Sequence, residues 1–257
     1  MNKNRTGVIK IELNSIYNED CLEGMKRIPD KSVDMILCDL PYGTTACKWD
    51  SIIPFEPLWA EYERVIKDNG AIVLTASQPF TSALVMSNPK LYRYNIVWDK
   101  VNRHTGYGNA KKMPLRRHED ILLFYKKLPT YNPQMTAGKP YVAKRSGNKP
   151  KVYENGGLNP KDGVNKGTRY PISILPIKAD VKTEMGKHPT QKPVELMEYL
   201  IRTYTNEGET VLDNCMGSGT TAIACLNTNR NFIGFEMDKG YFDIANERID
   251  KHKQELK

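Results

Sequence analysis

Short apolar runs and amphipathic stretches alternate in the first half of the chain. The continuous apolar run at residues 33–38 predicts a buried parallel strand, because such strands are covered on both faces. Leu58, Tyr62, Val65 and Ile66 recur at helical spacing before a stop at Asn69-Gly70. The predicted elements are helices at 22–28 and 55–67 and strands at 33–38, 71–75, 95–99 and 121–125. This alternation indicates an α/β fold.

The alternation stops between residues 128 and 186 and returns at Pro193. Glycine, proline and basic residues are frequent in that segment, and apolar residues occur only in short groups, which indicates an insertion or a small irregular domain. Pro193 suits the start of a helix. The elements predicted after it are a helix from 193 to about 204, a strand at 209–213, a helix at 220–227, a strand at 232–235 and a helix at 241–252.

Positive charge is concentrated in the middle of the chain. The 257 residues include 38 Lys and Arg against 30 Asp and Glu, a formal charge of +8. From Lys100 to Lys192 there are 20 basic and 6 acidic residues, a local charge of +14, and the remainder carries 18 basic and 24 acidic residues, a charge of −6. A solvated basic loop and a polyanion-binding site both explain this distribution.

Composition argues against several classes of protein. With 39% hydrophobic residues the chain is unlike a disordered one, and no apolar run approaches the ~18 residues of a membrane span. We therefore expect an intracellular, cytoplasmic protein. The five cysteines are an odd number without Cys-x-x-Cys spacing, so neither a disulfide framework nor a metal site is expected.

A glycine turn near the end of the chain has the pattern of a nucleoside site. Gly217 and Gly219 stand between a predicted strand and a predicted helix, where glycine lets the backbone approach a ligand closely. Glu236 follows Gly217 by 19 residues at the end of the next strand, where its carboxylate can accept hydrogen bonds from ribose hydroxyls. Ala222 stands near the place of a third glycine, which favours a nucleoside without pyrophosphate. A plain tight turn is the alternative.

The catalytic candidate lies in the first half, at Asp39-Leu40-Pro41-Tyr42. These residues terminate a predicted buried strand, and open α/β sheets bind ligands at the carboxyl ends of their strands. A carboxylate, a carbonyl on a proline-restricted backbone and an aromatic face suit a flipped base with an amino group. A strand-ending turn with a buried tyrosine is the alternative.

Six segments in a fixed order resemble the β-group DNA amino-methyltransferases, which use S-adenosylmethionine and carry the catalytic segment before the cofactor loop. The segments are Asp20-Cys21-Leu22-Glu23-Gly24-Met25, Asp39-Leu40-Pro41-Tyr42, Trp98-Asp99-Lys100, His118-Glu119, His188-Pro189-Thr190-Gln191-Lys192-Pro193 and the run from Asp213 to Thr221. In that family, Asp and Tyr in the catalytic signature are typical of adenine enzymes. The resemblance therefore implies adenine N6 methylation in double-stranded DNA after base flipping.

The resemblance also implies an architecture. We expect a Rossmann-like α/β methyltransferase fold with a mostly parallel, seven-stranded sheet and circularly permuted motif order. Residues 1–127 are expected to form the catalytic half, 128–186 an irregular target-recognition insertion and 187–257 the half that binds S-adenosylmethionine. The strands that end at Asp39 and Asp213 must then lie side by side.

Site residues follow from the same resemblance, segment by segment. The catalytic residues implied are Asp39, Pro41 and Tyr42. Those implied at the cofactor are Asp20 and Cys21 near the adenine ring, Glu236 at the ribose, Thr190 and Lys192 at the methionine end, and Asp39, Asp213, Cys215, Gly217, Ser218 and Gly219. From residue type alone, Cys21 also suits a core position and Lys192 a surface position. Leu40 departs from the family's proline, and Asn214-Cys215 departs from its common Pro-Phe.

DNA contacts are expected from the basic middle of the chain. The candidates are Lys111, Lys112, Arg116 and Arg117 in a polar segment, and Lys139, Lys144, Arg145, Lys149, Lys151, Lys161, Lys166 and Arg169 in the insertion. Most such residues position the DNA backbone rather than specify sequence. Other expected partners are a second copy of the chain and a cognate restriction endonuclease. We expect a nucleoid-associated protein of a bacterium or phage.

Four other functions fit parts of the pattern. N4-cytosine DNA methylation or RNA adenine methylation uses the same core with a different pocket or groove. A third alternative is a DNA-binding module that has lost catalysis, and the departures at Leu40 and Cys215 would then reflect that loss. A nicotinamide-dependent oxidoreductase fits less well, because its glycine turn belongs near the N-terminus and keeps three glycines.

Overall fold

One large sheet organises most of the described chain. The computed structural model describes residues 11–43, 50–143, 163–180 and 191–255. Its helices are α1 (Cys21–Met25), α2 (Phe55–Val65), α3 (Phe80–Ser87), α4 (Val194–Tyr204), α5 (Thr220–Asn227) and α6 (Lys239–Glu255). Its strands are β1 (Ser15–Tyr17), β2 (Val33–Asp39), β3 (Ile66–Ala76), β4 (Tyr92–Asp99), β5 (His118–Phe124), β6 (Thr136–Ala137), β7 (Tyr141–Ala143), β8 (Gly163–Asn165), β9 (Thr168–Arg169), β10 (Ile174–Pro176), β11 (Thr210–Asp213) and β12 (Asn231–Phe235).

The large sheet has the strand order β1-β12-β11-β2-β3-β5-β4-β10. Its pairings are parallel except where β5 runs antiparallel to β3 and to β4, so the prediction of a mostly parallel α/β sheet is confirmed. The sheet has eight strands where seven were predicted. The additional edge strand β10 is only three residues long, too short for a periodic pattern, and it is held by its pairing with β4 and by the Trp98 indole, which donates to the Ile177 carbonyl at 2.8 Å.

Strands from opposite ends of the chain meet at the centre of this sheet. β11 pairs with β2 in parallel, with Val211 opposite Met35 and Leu212 opposite Ile36. This pairing confirms the permuted topology predicted from the resemblance. It brings the carboxyl ends of the two strands, and with them Asp39 and Asp213, to the same edge of the sheet.

Two apolar layers cover the sheet, which explains the continuous apolar runs in its central strands. Met35 and Leu37 of β2 face the layer that contains α4, α5 and α6. Ile36 and Cys38 face the layer that contains α1, α2 and α3. All four side chains are completely buried, and each buried aliphatic side chain stabilises the fold by about 1.5–3 kcal/mol. The sheet therefore forms the rigid middle of three layers.

Each helix and strand that the sequence predicted is present, with shifted ends. The predicted helix at 55–67 ends earlier, because the backbone turns into β3 at Ile66 instead of continuing to Asn69-Gly70. The sequence did not predict β1, α3 or β10. The helix α3 follows Pro79 without a side-chain cap, so its start carries little sequence pattern.

The described residues form two compact units. One comprises Met1–Asn132 and Ser173–Lys257 and contains the large sheet, and the other is Pro133–Ile172. In the second unit β6 pairs with β9 and β7 pairs with β8, both antiparallel. This unit falls within the segment predicted as an insertion at 128–186. Across the described ranges, no helix is both long and apolar enough to cross a membrane.

Candidate active site

The carboxylate of Asp39, the last residue of β2, accepts three hydrogen bonds at the carboxyl edge of the sheet. Its Oδ1 accepts from the hydroxyl of Tyr42 at 2.8 Å and from the hydroxyl of Thr75. Its Oδ2 accepts from Nζ of Lys192 at 2.6 Å. A carboxylate offers about four lone-pair sites, so these donors fix its orientation and leave about one site for a ligand.

A chain of alternating charges continues from Asp39 to β5 and β4. Nζ of Lys192 lies 3.2 Å from Oε2 of Glu119, and Nζ of Lys100 lies 2.5 Å from Oε1 of Glu119. Burial opposes the charge of Lys192, but Asp39 and Glu119 outweigh it and raise the pKa of the ammonium. Burial alone would raise the pKa of Glu119, yet the ammonium groups of Lys192 and Lys100 hold it below its usual range. The ion pairs therefore favour the charged forms of both Lys192 and Glu119.

Tyr42 and Leu40 anchor the catalytic segment to the core. The Tyr42 ring stacks on Phe80 with centroids 5.2 Å apart, and Nζ of Lys192 lies 5.6 Å from the Tyr42 centroid. Burial raises the pKa of the Tyr42 hydroxyl, which keeps it a donor to Asp39. Leu40 is only 4% exposed and packs in the layer of α2 and α3, so the residue that departs from the family's proline contributes an apolar core contact.

The glycine turn between β11 and α5 is held by main-chain hydrogen bonds. Gly217 and Gly219 have φ values of +54° and +85°, in the region that favours glycine. The Gly217 amide donates to Oε2 of Glu236 at 2.8 Å, and the Asp238 amide donates to Oε1 at 2.8 Å. Burial raises the pKa of Glu236, and these two amides oppose that effect. The predicted ribose acid is thus fixed against the glycine turn.

Asp213 is buried directly beneath this turn. Its Oδ1 accepts from the Cys215 amide at 3.0 Å and its Oδ2 from the Thr221 hydroxyl at 2.5 Å. Burial raises its pKa to about 6, and the neutral donors offset only part of that cost. Asp213 therefore ties the end of β11 to the first turn of α5 and braces the turn from below.

Thiols and one amide form the wall beside α1. The Asn214 amide nitrogen lies 3.5 Å from Sγ of both Cys21 and Cys215, and its Oδ1 accepts from the Tyr62 hydroxyl at 2.5 Å. Asp20 caps α1 by accepting from the Leu22 amide at 2.8 Å. Asn214 is held by these contacts, and it lines the same cavity as the two thiols.

A second contact holds the turn to the segment that carries Lys192. The Ser218 hydroxyl donates to Oε1 of Gln191 at 2.8 Å, and the Arg248 guanidinium of α6 lies 3.2 Å from the same oxygen. Arg248 also donates to the Ser218 carbonyl at 2.5 Å. Gln191 and Lys192 are neighbours in sequence, so this contact and the Asp39 ion pair hold one short segment across both strand ends.

A single cavity of about 760 Å³ joins these features. The predicted site residues that line it are Asp20, Cys21, Asp39, Pro41, Tyr42, Lys192, Asp213, Cys215, Gly217, Ser218 and Glu236. Gly219 instead begins α5 and packs against α6, since an added Cβ would lie 3.2 Å from Cβ of Ala245. Thr190 lies outside the described residues. Lys192, predicted at the methionine end, is bonded to Asp39 in this structure.

The predicted DNA contacts divide into three groups. Arg116 lines the cavity and donates to Ser77 at 2.7 Å, and Arg117 pairs with Asp99 at 2.6 Å. Lys111, Lys112, Lys139 and Lys166 are exposed, whereas the Arg169 guanidinium lies 4.7 Å from the Tyr141 centroid within its own unit. Lys144, Arg145, Lys149, Lys151 and Lys161 lie outside the described residues. Their role in binding DNA stays a prediction.

Sequence reasoning assigned no role to several residues of the site. Lys100 and Glu119 stood in matched segments, but nothing in their spacing showed that they form an ion pair. Gln191 also stood in a matched segment. Thr75 is a polar residue near the end of a buried strand, which is a weak pattern, and Arg248 on α6 had no pattern at all.

Comparison with known proteins gives one consistent result. The family described as DNA methylase matches residues 33–247. The type II methyltransferase M1.MboII of Moraxella bovis is 31% identical over 260 residues, which cover 92% of this chain and 96% of the relative. The DNA adenine methyltransferase YhdJ of Escherichia coli strain K12 is 28% identical over 251 residues, which cover 93% of this chain and 83% of the relative.

A solved structure resembles the fold over nearly its whole length. The crystal structure of the M1.HpyAVI–SAM complex matches with a TM-score of 0.63 and 28% sequence identity. The match covers 92% of this chain and 98% of that chain. The similarity thus extends across the large sheet and both ends of the cavity.

Proposed function

This chain belongs to the DNA methylase family, and we propose that it transfers a methyl group from S-adenosylmethionine to N6 of adenine in double-stranded DNA. One observation carries the proposal. The Asp39 carboxylate and the Glu236-braced glycine turn stand at the ends of adjacent strands and line the same cavity. YhdJ, a relative over 93% of the chain, is a DNA adenine methyltransferase, which supports adenine as the target base.

The cavity suits S-adenosylmethionine. Its volume of about 760 Å³ is in the range of small-molecule sites, and an added Cβ at Gly217 would meet open space, so a ligand can approach that backbone closely. Glu236 holds the ribose hydroxyls in this proposal, and Asp20 with Cys21 borders the adenine ring. Gly217, Ser218 and Cys215 line the path between them. When bound, this cofactor supplies an electrophilic methyl group on a positively charged sulfur.

Asp39, Pro41 and Tyr42 act on the target base. The exocyclic nitrogen of adenine is a poor nucleophile, because its lone pair is delocalised into the ring. The open lone-pair site of Asp39 and the Pro41 carbonyl each accept a hydrogen bond from one N–H of the adenine amino group. These hydrogen bonds direct the lone pair of the adenine nitrogen towards the methyl group. The partly exposed ring of Tyr42 borders the flipped base and helps offset its unstacking, which costs a few kcal/mol.

The remaining assignments concern recognition and partners. We propose that residues 128–186 select the DNA sequence and that exposed basic residues such as Lys111, Lys112 and Lys139 contact phosphates, since counterion release favours such binding. M1.MboII is a type II methyltransferase, which supports a restriction endonuclease as a functional partner. A homodimer and a cytoplasmic, nucleoid-associated location complete the proposal. Residues 1–127 and 187–257 supply the catalytic and cofactor halves.

The test is direct identification of the methylated base. Purified protein is incubated with labelled S-adenosylmethionine and unmethylated genomic DNA beside Asp39→Ala, and the DNA is digested to nucleosides. Label in N6-methyladenine that is lost in the variant supports both the reaction and the role of Asp39. Label in N4-methylcytosine contradicts the adenine assignment. Cofactor binding without any DNA label contradicts DNA as the substrate, and RNA is then tested.

A further inference from the structure

Four alternating charges connect the catalytic carboxylate to the far side of the cavity. Asp39 binds Lys192 at 2.6 Å, Lys192 lies 3.2 Å from Glu119, and Glu119 binds Lys100 at 2.5 Å. The side chains of Lys192, Glu119 and Lys100 are 6%, 14% and 13% exposed. The two acids and two bases balance to zero charge. Water screens ion pairs at the surface, but the side chains of Lys192, Glu119 and Lys100 are largely shielded from water.

Among these four charged residues, Glu119 is the rigid one. It lies on β5 opposite Trp98 of β4, so its backbone is held by the pairing of these two strands. Its Oε1 is bound by Lys100, whose own position is fixed by the Arg117 carbonyl, which accepts from the Lys100 amide at 3.0 Å. Lys192, in contrast, precedes α4 in a segment without regular structure. A rigid acid therefore holds an ammonium group on a flexible stem.

The second oxygen of Glu119 has an unusual environment. Within the described part of the chain, Oε2 is buried and has no hydrogen bond, although the Lys192 ammonium is 3.2 Å away. The three N–H donors of an ammonium group lie at tetrahedral angles to one another, and Asp39 accepts a hydrogen bond from one of them. The contact with Glu119 is thus mainly electrostatic. It attracts the Lys192 ammonium without competing with the hydrogen bond from Lys192 to Asp39.

An ammonium group at this position has a second attractive target. S-adenosylmethionine carries a carboxylate of its own, and Lys192 lines the cavity in which we place the cofactor. A mobile Lys192 would divide its time between that carboxylate and Asp39. If Lys192 left Asp39, the carboxylate would lose one of its three donors and could turn away from the target amino group.

We propose that Glu119, fixed by Lys100, is a positioning residue that keeps the Lys192 ammonium on Oδ2 of Asp39 and so directs the open lone pair of Asp39 to the target nitrogen. This inference rests on the function proposed above. Glu119 lines the same cavity, but no contact with the base or the cofactor is assigned to it in the proposal. Its effect is transmitted through Lys192.

The test separates turnover from cofactor binding. In Glu119→Gln the amide keeps the shape but removes the charge that attracts Lys192. We expect kcat for DNA methylation to fall by about 10- to 100-fold, because one partner of a buried charge chain is lost. The Kd for S-adenosylmethionine, measured by calorimetry without DNA, should stay the same or fall, because a released Lys192 is free to bind the cofactor's carboxylate.

Two further variants distinguish positioning from a general structural role. Glu119→Asp keeps the charge, and we expect it to recover part of the lost kcat. Combining Glu119→Gln with Lys192→Met should lower kcat no further than Lys192→Met alone, because both substitutions remove the same ion pair between Glu119 and Lys192. Asp68→Asn is the matched control, since Asp68 also pairs with lysines but lies outside the cavity. Thermal unfolding of each variant verifies that it folds.

Three results would overturn the proposal. They are an unchanged kcat in Glu119→Gln, a loss confined to cofactor affinity, or effects that multiply in the double variant. The wild-type reaction in the same series separates this proposal from the proposed function. If the wild type leaves DNA unmethylated, the function itself is wrong; if the wild type is active and Glu119→Gln equals it, only the positioning role is wrong.

Discussion

The two ends of the cavity hold their carboxylates in opposite ways. Asp39 ends β2 and is bound by a cation, Lys192, that is itself held by Glu119. Asp213 ends the neighbouring strand β11 and is bound by a backbone amide and a hydroxyl. Burial raises the pKa of Asp213 to about 6, whereas the lysines hold the pKa of Glu119 below its usual range. Neighbouring strand ends thus provide very different electrostatic environments.

This difference matches what each end must do. At the end that we propose as catalytic, a negative charge is required to polarise an amino group, and Asp39 there is paired with Lys192. At the cofactor end, the carboxylates organise a backbone turn, and neutral donors are sufficient. Charge is therefore concentrated where it acts on the base.

The largest effect is expected when the charge of Asp39 is removed and its shape is kept, because this tests the charged end of the cavity directly. In Asp39→Asn we expect kcat to fall by about 10²- to 10³-fold, because the amide cannot polarise the target nitrogen as a carboxylate does. Binding of S-adenosylmethionine should change little. Single-turnover methylation and calorimetry measure the two quantities. Full activity of this variant would show that Asp39 is not the polarising group.

The raised pKa of Asp213 makes stability depend on pH. The folded protein binds more protons than the unfolded chain between the ordinary value of 3.8 and about 6, so the free energy of unfolding falls as the pH rises through this window. The fall amounts to at most about 3 kcal/mol. In Asp213→Asn this part of the pH dependence should be absent. Urea unfolding at several pH values compares the two proteins, and identical profiles would contradict the assignment.

Glu236→Gln tests the cofactor end alone. Both carboxylate oxygens accept a backbone N–H, from Gly217 and Asp238, so glutamine must set its NH₂ group against one of them. We expect the Kd for S-adenosylmethionine to rise about tenfold, with kcat unchanged at saturating cofactor. Glu209→Gln is the control, because Glu209 accepts the Asn206 amide outside the cavity. A fall in kcat alone would contradict the division between the two ends.

The smallest effects separate the two glycines of the turn. At Gly219 an added Cβ would lie 3.2 Å from Cβ of Ala245, so Gly219→Ala should destabilise the fold by about 1–2 kcal/mol. At Gly217 the Cβ meets open space, so Gly217→Ala should cost less stability, about 1 kcal/mol. Its Cβ would stand in the cavity and weaken cofactor binding. Thermal unfolding measures the stability of both variants, and calorimetry measures their affinity for the cofactor. A larger loss of stability in Gly217→Ala, or a larger loss of affinity in Gly219→Ala, would contradict these roles.

Much of this architecture was predictable because the central strands are covered on both faces. Their apolar runs predicted β2, β3, β11 and β12 close to their observed positions, and the permuted order predicted the pairing of β11 with β2. Short edge elements were not predictable. β1 and β10 have only three residues each, and their stability comes from pairing with β12 and β4 rather than from a pattern of their own.

The site was predictable in its residues but not in its contacts. Asp39, Gly217 and Glu236 follow strands at recognisable places, and their positions in the cavity agree with that pattern. The contact between Lys192 and Asp39 depends on where a loop before α4 places a long side chain. The roles of Glu119 and Lys100 depend on the antiparallel pairing of β5 with β4, which sequence spacing does not encode.

The pairing of β2 with β11 also governs when the protein becomes an enzyme during its synthesis. A ribosome makes Asp39 early, but β2 keeps an unpaired edge until β11 has been translated, and contacts between such distant segments form slowly. The cavity has only one wall until then. While residues 40–213 are being made, a nascent chain therefore carries Asp39 with no glycine turn beside it, and the second side of the cavity forms only after synthesis passes Asp213 and the turn that follows.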